Sequence, residues 1–155
     1  LGYTGEFLDD IRLGAELHDI GKIGTRESVL NKPGPLTPDE FRHITEHTVL
    51  GERILAPLAR DRPVVLRIAR SHHERLDGTG FPDGLAGEAI PVEARIVAVV
   101  DAFDAMTTNR AYRESFVPGS AFDELRRCAG LQFEPAIVDA FCTAFPDPAR
   151  LPIHA

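Results

Sequence analysis

The sequence predicts an all-α domain, and three observations carry that prediction. Apolar residues recur at helical spacing in one segment after another. One segment opens with a complete helix-start signature, Thr37-Pro38-Asp39-Glu40. No stretch alternates apolar and polar residues as a half-buried strand would.

The first helix is expected over Gly5–Leu17, where Phe7, Leu8, Ile11, Leu13, Ala15 and Leu17 are the apolar positions and Thr4 is the expected N-cap. Gly21 supplies the backbone freedom that ends helices. Residues 23–36 contain Asn31-Lys32-Pro33-Gly34-Pro35, which is loop chemistry. From Thr37 a long helix is expected, with Phe41, Ile44, His47, Gly51, Ile54 and Leu58 tracing one face. Another should run from Pro63 to His73 on Val64, Val65, Leu66, Ile68 and Ala69. Glycine and proline then punctuate residues 75–91, and so long an irregular segment in a compact domain is usually functional. Val92–Thr108 is apolar nearly all round and is expected to be the central buried helix; its Val and Ile content also allows a strand, but its length favours helix. Helices near 118–129 and 134–145 close the domain.

A chain of 155 residues, 43% apolar, has enough material to bury one core without disulfide staples. With 17 basic and 24 acidic side chains its formal net charge is −7, which argues against a broad footprint for DNA or anionic membrane. A small polyanionic substrate is still allowed, because a metal or a few local cations can hold phosphate in an acidic protein. The two cysteines, Cys128 and Cys142, form no C-x-x-C motif and are expected to be reduced thiols of a cytoplasmic protein. No apolar run approaches the roughly 18 residues of a membrane span.

Five groups of residues bear chemistry: His18-Asp19, His47, His72-His73, Asp101 through Asp104, and the loop Gly78-Thr79-Gly80-Phe81-Pro82. Taken singly, most have an ordinary structural explanation. One imidazole on an apolar helical face, such as His47, is more often a hydrogen-bonded core residue than a ligand. His43, one turn earlier, lies off the apolar line and reads as solvated. An adjacent His-Asp pair is common by chance. Two neighbouring imidazoles, His72 and His73, rarely serve packing alone. Asp101 is the most telling, because it interrupts the apolar run Val97–Met106, and an unpaired buried carboxylate costs several kcal/mol. It needs a cation, a donor network or a metal, and a metal would also give the histidines a purpose. Imidazole with carboxylate and no thiolate suits iron, manganese, nickel or zinc rather than calcium or magnesium. A carboxylate beside a histidine can bridge two ions, and ions about 3.5–4 Å apart suit in-line attack on a phosphodiester. Lys22, four residues after His18, is placed to absorb phosphate charge; its alternative is a solvated surface lysine.

Together these residues resemble a family. His18-Asp19-Ile20-Gly21-Lys22 is similar to the HD-x-GK signature of HD-superfamily metal phosphohydrolases, and His72 through Pro82 is similar to the HHE-x-x-DG-x-GYP motif of the HD-GYP group. Leu30–Gly34, the His47 helix and Ile90–Val99 match family sequence as well. The resemblance implies an all-helical HD bundle, two divalent ions (iron or manganese first, nickel or zinc next), and hydrolysis of cyclic di-GMP to pGpG or GMP. It implies that His18, Asp19 and Asp101 hold one ion, while Asp19, as a bridge, joins His47, His72 and His73 on the second. It also assigns Asp19 and Lys22 to catalysis, Lys22, Arg110 and Arg113 to substrate phosphates, and Gly78, Gly80, Phe81 and Pro82 to contacts with a GGDEF-domain partner in a bacterial cytoplasm.

Three departures accompany the resemblance. The family carries a further metal-binding His, sometimes with a Glu, on a helix before the HD pair, whereas this chain opens at Leu1. The expectation is therefore a single domain over 1–155 that lacks the preceding helix, from a parent with a receiver or sensor domain upstream. Phe81 stands where the motif has Tyr, and Ala111 where Pro is usual. Three functions fit: a cyclic di-GMP phosphodiesterase, a related phosphohydrolase with another nucleotide substrate, and a degenerate scaffold acting through protein contacts.

Overall fold

The computed structural model describes residues 2–108 and 118–145, and among these the chain is helical with no sheet. The helices are α1 (Glu6–Leu17), α2 (Glu27–Leu30), α3 (Pro38–Thr45), α4 (His47–Leu55), α5 (Pro63–Ser71), α6 (Val92–Thr107), α7 (Pro118–Cys128) and α8 (Pro135–Ala144). Short 3₁₀ turns occupy Ile20–Gly24 and Gly87–Ala89. No described helix is long and apolar enough to cross a membrane.

Two apolar layers meet along the chain's middle. Val64 and Ile68 of α5 pack with Val97 of α6 against Phe7, Ile11 and Ala15 of α1, while Val65 and Ala69 face Leu55 and Ala59 at the end of α4. Helix α5 is thus enclosed by α1, α4 and α6. A second core joins α6 to α7 and α8 through Val99, Phe103, Phe122, Leu125, Ile137 and Val138, with the Phe103 and Phe122 rings stacked 5.1 Å apart. Helix α1 lies close on α5 at Gly14, where a Cβ would fall 2.4 Å from Cδ1 of Ile68. Both cysteines are free and half-buried, and burial pushes their thiols up.

Several expectations change in detail. The N-cap of α1 is Gly5, at φ 64°, rather than Thr4. The single long helix from Thr37 is two helices broken at Glu46. At the break the Ile44 carbonyl accepts both the Glu46 N–H and the His47 Nδ1–H, so the regular ladder is interrupted. The expected apolar face is therefore not continuous, and Phe41 and Leu58 are 52% and 82% exposed. The capping box at Thr37 and Glu40 is present as read, and Lys32 adds a 2.6 Å ion pair to the Glu40 carboxylate. His43 is not simply solvated: its Nε2 accepts the Arg26 N–H at 3.1 Å. Helix α6 has one open side, with Val100 43% exposed, and the helix with most neighbours around it is α5, whose Val65, Ile68 and Ala69 are fully buried.

Candidate metal centre

The centre is built at helix ends. His18 caps the C-terminus of α1, His47 opens α4, and His72 caps the C-terminus of α5. Each donates its Nδ1–H to a carbonyl about one turn back: His18 to Ala15 at 2.6 Å, His47 to Ile44 at 2.6 Å, and His72 to Ile68 and Ala69 at 3.0 and 3.1 Å. A carbonyl can only accept, so these bonds fix the proton on Nδ1 and leave each Nε2 as a lone-pair donor.

Those three Nε2 atoms converge on Asp19. Its Oδ1 lies 3.3 Å from Nε2 of His47 and 3.8 Å from Nε2 of His72, while Oδ2 lies 3.5 Å from Nε2 of His18 and 2.5 Å from Nζ of Lys22. His18 Nε2 also stands 3.6 Å from Oδ1 of Asp101. The two oxygens of one carboxylate therefore face two sets of groups. Ligand atoms from Asp19, His47, His72 and His73 all fall within 4.8 Å of one another. His18 and Asp101 flank Asp19 on its other oxygen.

A backbone contact sets this convergence. A Cβ on Gly21 would lie 1.9 Å from the His47 carbonyl oxygen and 2.6 Å from the Gly51 nitrogen, so only glycine lets the turn after Asp19 rest on α4. The motif's glycine thereby brings Asp19 to His47.

The electrostatics suit a cation. Burial and the neighbouring histidines His73 and His18 push the His72 pKa down to about 3, and burial together with His47 pushes His73 down to about 4. Burial opposes the charge of Asp19, yet the Lys22 ammonium on its Oδ2 holds its carboxyl well below the usual carboxylate range. Burial likewise opposes charge on His18 and Asp101, but each lying beside the other raises the first and lowers the second. Nε2 of His47 and Nε2 of His72 face each other 3.4 Å apart, and with Nδ1–H on the carbonyls these are two lone pairs. His18 Nε2 and Asp19 Oδ1 are buried without a hydrogen-bond partner among the described residues. Converging lone pairs, orphaned buried atoms and an N/O donor set are what a divalent metal ion satisfies, and the residues fit one.

The Gly/Pro-rich loop forms one wall. The Phe81 ring lies 4.8 Å from that of His73 and 6.4 Å from that of His47, and its outer side meets Phe41 at 6.0 Å. The Phe81–Pro82 peptide is cis. Gly80 packs so tightly that a Cβ would fall 2.4 Å from the Arg75 nitrogen and 2.6 Å from the His73 carbonyl oxygen. Gly78 turns the loop at φ 77°.

Glu74 went unread in the sequence beyond its place in the motif. It is 4% exposed, and its carboxylate accepts the N–H groups of Asp83 at 2.7 Å and Leu85 at 2.9 Å, stapling the far side of the loop. Its burial has no local signal in the sequence, because both N–H partners lie beyond the turn of the loop. Arg110 and Arg113 lie outside the described residues.

Comparison with known proteins places this centre in context. The family model described as "HD domain" matches residues 1–137. A cyclic di-GMP phosphodiesterase of Thermotoga maritima is 43% identical over 145 residues, 91% of this chain and 39% of that protein. The cyclic di-GMP phosphodiesterase response regulator RpfG of Xanthomonas campestris is 47% identical over 90% of this chain and 37% of its own length. A 3'3'-cGAMP-specific phosphodiesterase of Vibrio cholerae is 37% identical over 84% of this chain and 25% of its own length. The chain thus spans well under half the length of these relatives. The crystal structure of a Vibrio cholerae cyclic GMP-AMP phosphodiesterase superposes with a TM-score of 0.72 at 21% identity, over 96% of this chain and 40% of that one, a likeness of fold.

Proposed function

From the premise that this chain belongs to the HD-domain family, of the HD-GYP kind, we propose that it is a metal-dependent phosphodiesterase that hydrolyses cyclic di-GMP to pGpG or GMP. One observation carries the reading: three imidazoles with backbone-fixed tautomers present Nε2 to the two oxygens of Asp19, one of which is buried and unpaired.

His18, Asp19 and Asp101 would hold one ion, and Asp19 with His47, His72 and His73 a second, iron or manganese suiting the N/O set best. When bound, such ions supply Lewis-acid polarisation of the phosphoryl oxygens and a strong nucleophile from water at neutral pH. The chain's own residues do the rest. Asp19 orients both halves of the centre. Lys22, half-exposed and 2.5 Å from Asp19, offers an ammonium at the edge, where negative charge grows on the non-bridging oxygens. Phe81 closes the wall beside His73 and limits water there.

Cyclic di-GMP is favoured over 3'3'-cGAMP because the relatives named for the former match more of this chain, 91% and 90% against 84%, 66% and 74%. The exposed side of the loop at Gly78–Pro82 remains our assignment for a GGDEF-domain partner.

The test is metal analysis and turnover on the manganese- or iron-loaded protein. We expect stoichiometric metal and conversion of cyclic di-GMP to linear product. A fully loaded protein that leaves cyclic di-GMP intact overturns the reading.

A further inference from the structure

A cavity of about 290 Å³ opens beside the metal centre, sharing His72, His73 and Asp101 with it. Its other walls include Arg75, Phe81, Gln132 and Phe133. The volume is at the low end of small-molecule pockets, roughly 300–1,000 Å³, and suits one nucleobase rather than a whole cyclic dinucleotide.

Gln132 arrives there from a distant part of the chain. The Leu76 N–H donates to the Gln132 carbonyl at 3.1 Å and the Asp77 N–H to the Leu131 carbonyl at 2.9 Å, so the segment after the tandem histidines is paired with the turn between α7 and α8. This pairing sets Arg75 and Gln132 on one cavity. The Gln132 side-chain amide is half-buried and makes no hydrogen bond among the described residues. Arg75 is held in place: its Nε donates to Thr79 Oγ1 at 2.9 Å and to Asp77 at 3.3 Å, and Nη2 donates to Asp77 at 3.0 Å, which leaves Nη1 without an acceptor there. An immobilised guanidinium edge, an idle amide and two aromatic rings on one small cavity are the parts of a base-reading site.

Resting on the phosphodiesterase reading above, we infer that this cavity is the subsite for one guanine of the substrate, read by Arg75 and Gln132. Arginine offers only donors, which match the guanine O6 and N7 acceptors and are repelled by the adenine N6 amino group. The glutamine carbonyl accepts from the guanine N1–H and N2 amino edge, where adenine has no such pair of donors. Phe81 supplies an apolar face for the base.

Equilibrium binding of GMP and AMP to the manganese-loaded protein tests this without requiring turnover. The wild type should prefer GMP, and Gln132→Ala and Arg75→Ala should each weaken GMP by about tenfold while leaving AMP and metal content little changed. Gln132→Ala should also raise KM for cyclic di-GMP more than it lowers kcat, with hydrolysis of the base-free ester bis(p-nitrophenyl) phosphate unchanged. Equal affinity of the wild type for GMP and AMP, or unchanged GMP affinity in Gln132→Ala, overturns the subsite even if cyclic di-GMP is hydrolysed. GMP preference with no turnover of any cyclic dinucleotide keeps the subsite and sinks the phosphodiesterase reading instead.

Discussion

Replacing Glu74 by Gln should destabilise the protein by about 2–4 kcal/mol, although the two side chains have nearly the same shape. The Glu74 side chain is 4% exposed and its carboxylate accepts two backbone N–H groups, from Asp83 and Leu85. Hydrogen bonds to a charged group contribute about 1.5–3 kcal/mol each, and a buried donor left unsatisfied costs about 1–3 kcal/mol. A glutamine keeps one acceptor for one N–H but turns its NH₂ against the other. One bond is then lost, one is weakened from charged to neutral, and one buried N–H is orphaned. At about 2–4 °C per kcal/mol for a chain of this size, Tm should fall by roughly 4–16 °C. Thermal and urea unfolding followed by far-UV circular dichroism, with metal content measured in parallel, gives the number. Glu74→Ala should fall at least as far, since it abandons both N–H groups. If Glu74→Gln melts within about 1 °C of the wild type, water reaches these N–H groups and the loop is not held as described.

Three further outcomes follow from the same geometry. Asp19→Asn should lose metal affinity by more than the roughly 10–100-fold seen when only an outer partner is removed, with helix content unchanged by circular dichroism; stoichiometric metal in that variant would refute the bridging assignment. Lys22→Ala should keep its metal, by elemental analysis, yet lose about 10²–10³-fold in kcat; parallel loss of metal and activity would move Lys22 into the metal site. The Glu40 pKa lies at about 2 instead of 4.5, held down first by Lys32 and then by the Thr37 backbone N–H. A depressed carboxylate stabilises fully above 4.5 and loses that contribution as pH falls towards 2. The stability gap between wild type and Glu40→Gln should therefore close across that window, as read by urea unfolding; a gap independent of pH would exclude ionic anchoring of the Lys32 loop.

Motif spacing exposed the candidate ligands because metal chemistry restricts residue type: His18, Asp19, His47, His72, His73 and Asp101 are ordinary singly but stand out as one ordered set. The turn at Thr37 was equally legible, since a capping box is a purely local device. What could not be read depended on contacts distant in sequence. Glu74 looks like any charged residue until its two N–H partners, nine and eleven positions later, close around it. Gln132 is an ordinary polar turn residue until the backbone bonds from Leu76 and Asp77 carry it to Arg75. The break at Glu46 escaped because an imidazole bonding back to Ile44 competes with the helix, and periodicity has no term for such competition. The openness of α6 at Val100 escaped for a related reason: hydropathy reports what a residue tolerates, not whether a neighbour arrives to cover it.

The tight crossing of α1 on α5 has a further consequence. Gly14 lies one turn before His18, and Ile68 one turn before His72, so the point where the helices touch sits directly behind the two imidazoles that their ends carry. The pair behaves as a caliper, with its pivot at the Gly14–Ile68 contact and its tips at the two Nε2 atoms. Gly14→Ala pushes a methyl into a 2.4 Å approach and spreads the jaws; Ile68→Val removes a methyl from the pivot and lets them close. The spacing between the two halves of the candidate centre is therefore adjustable from behind, by changes that leave His18 and His72 themselves in place.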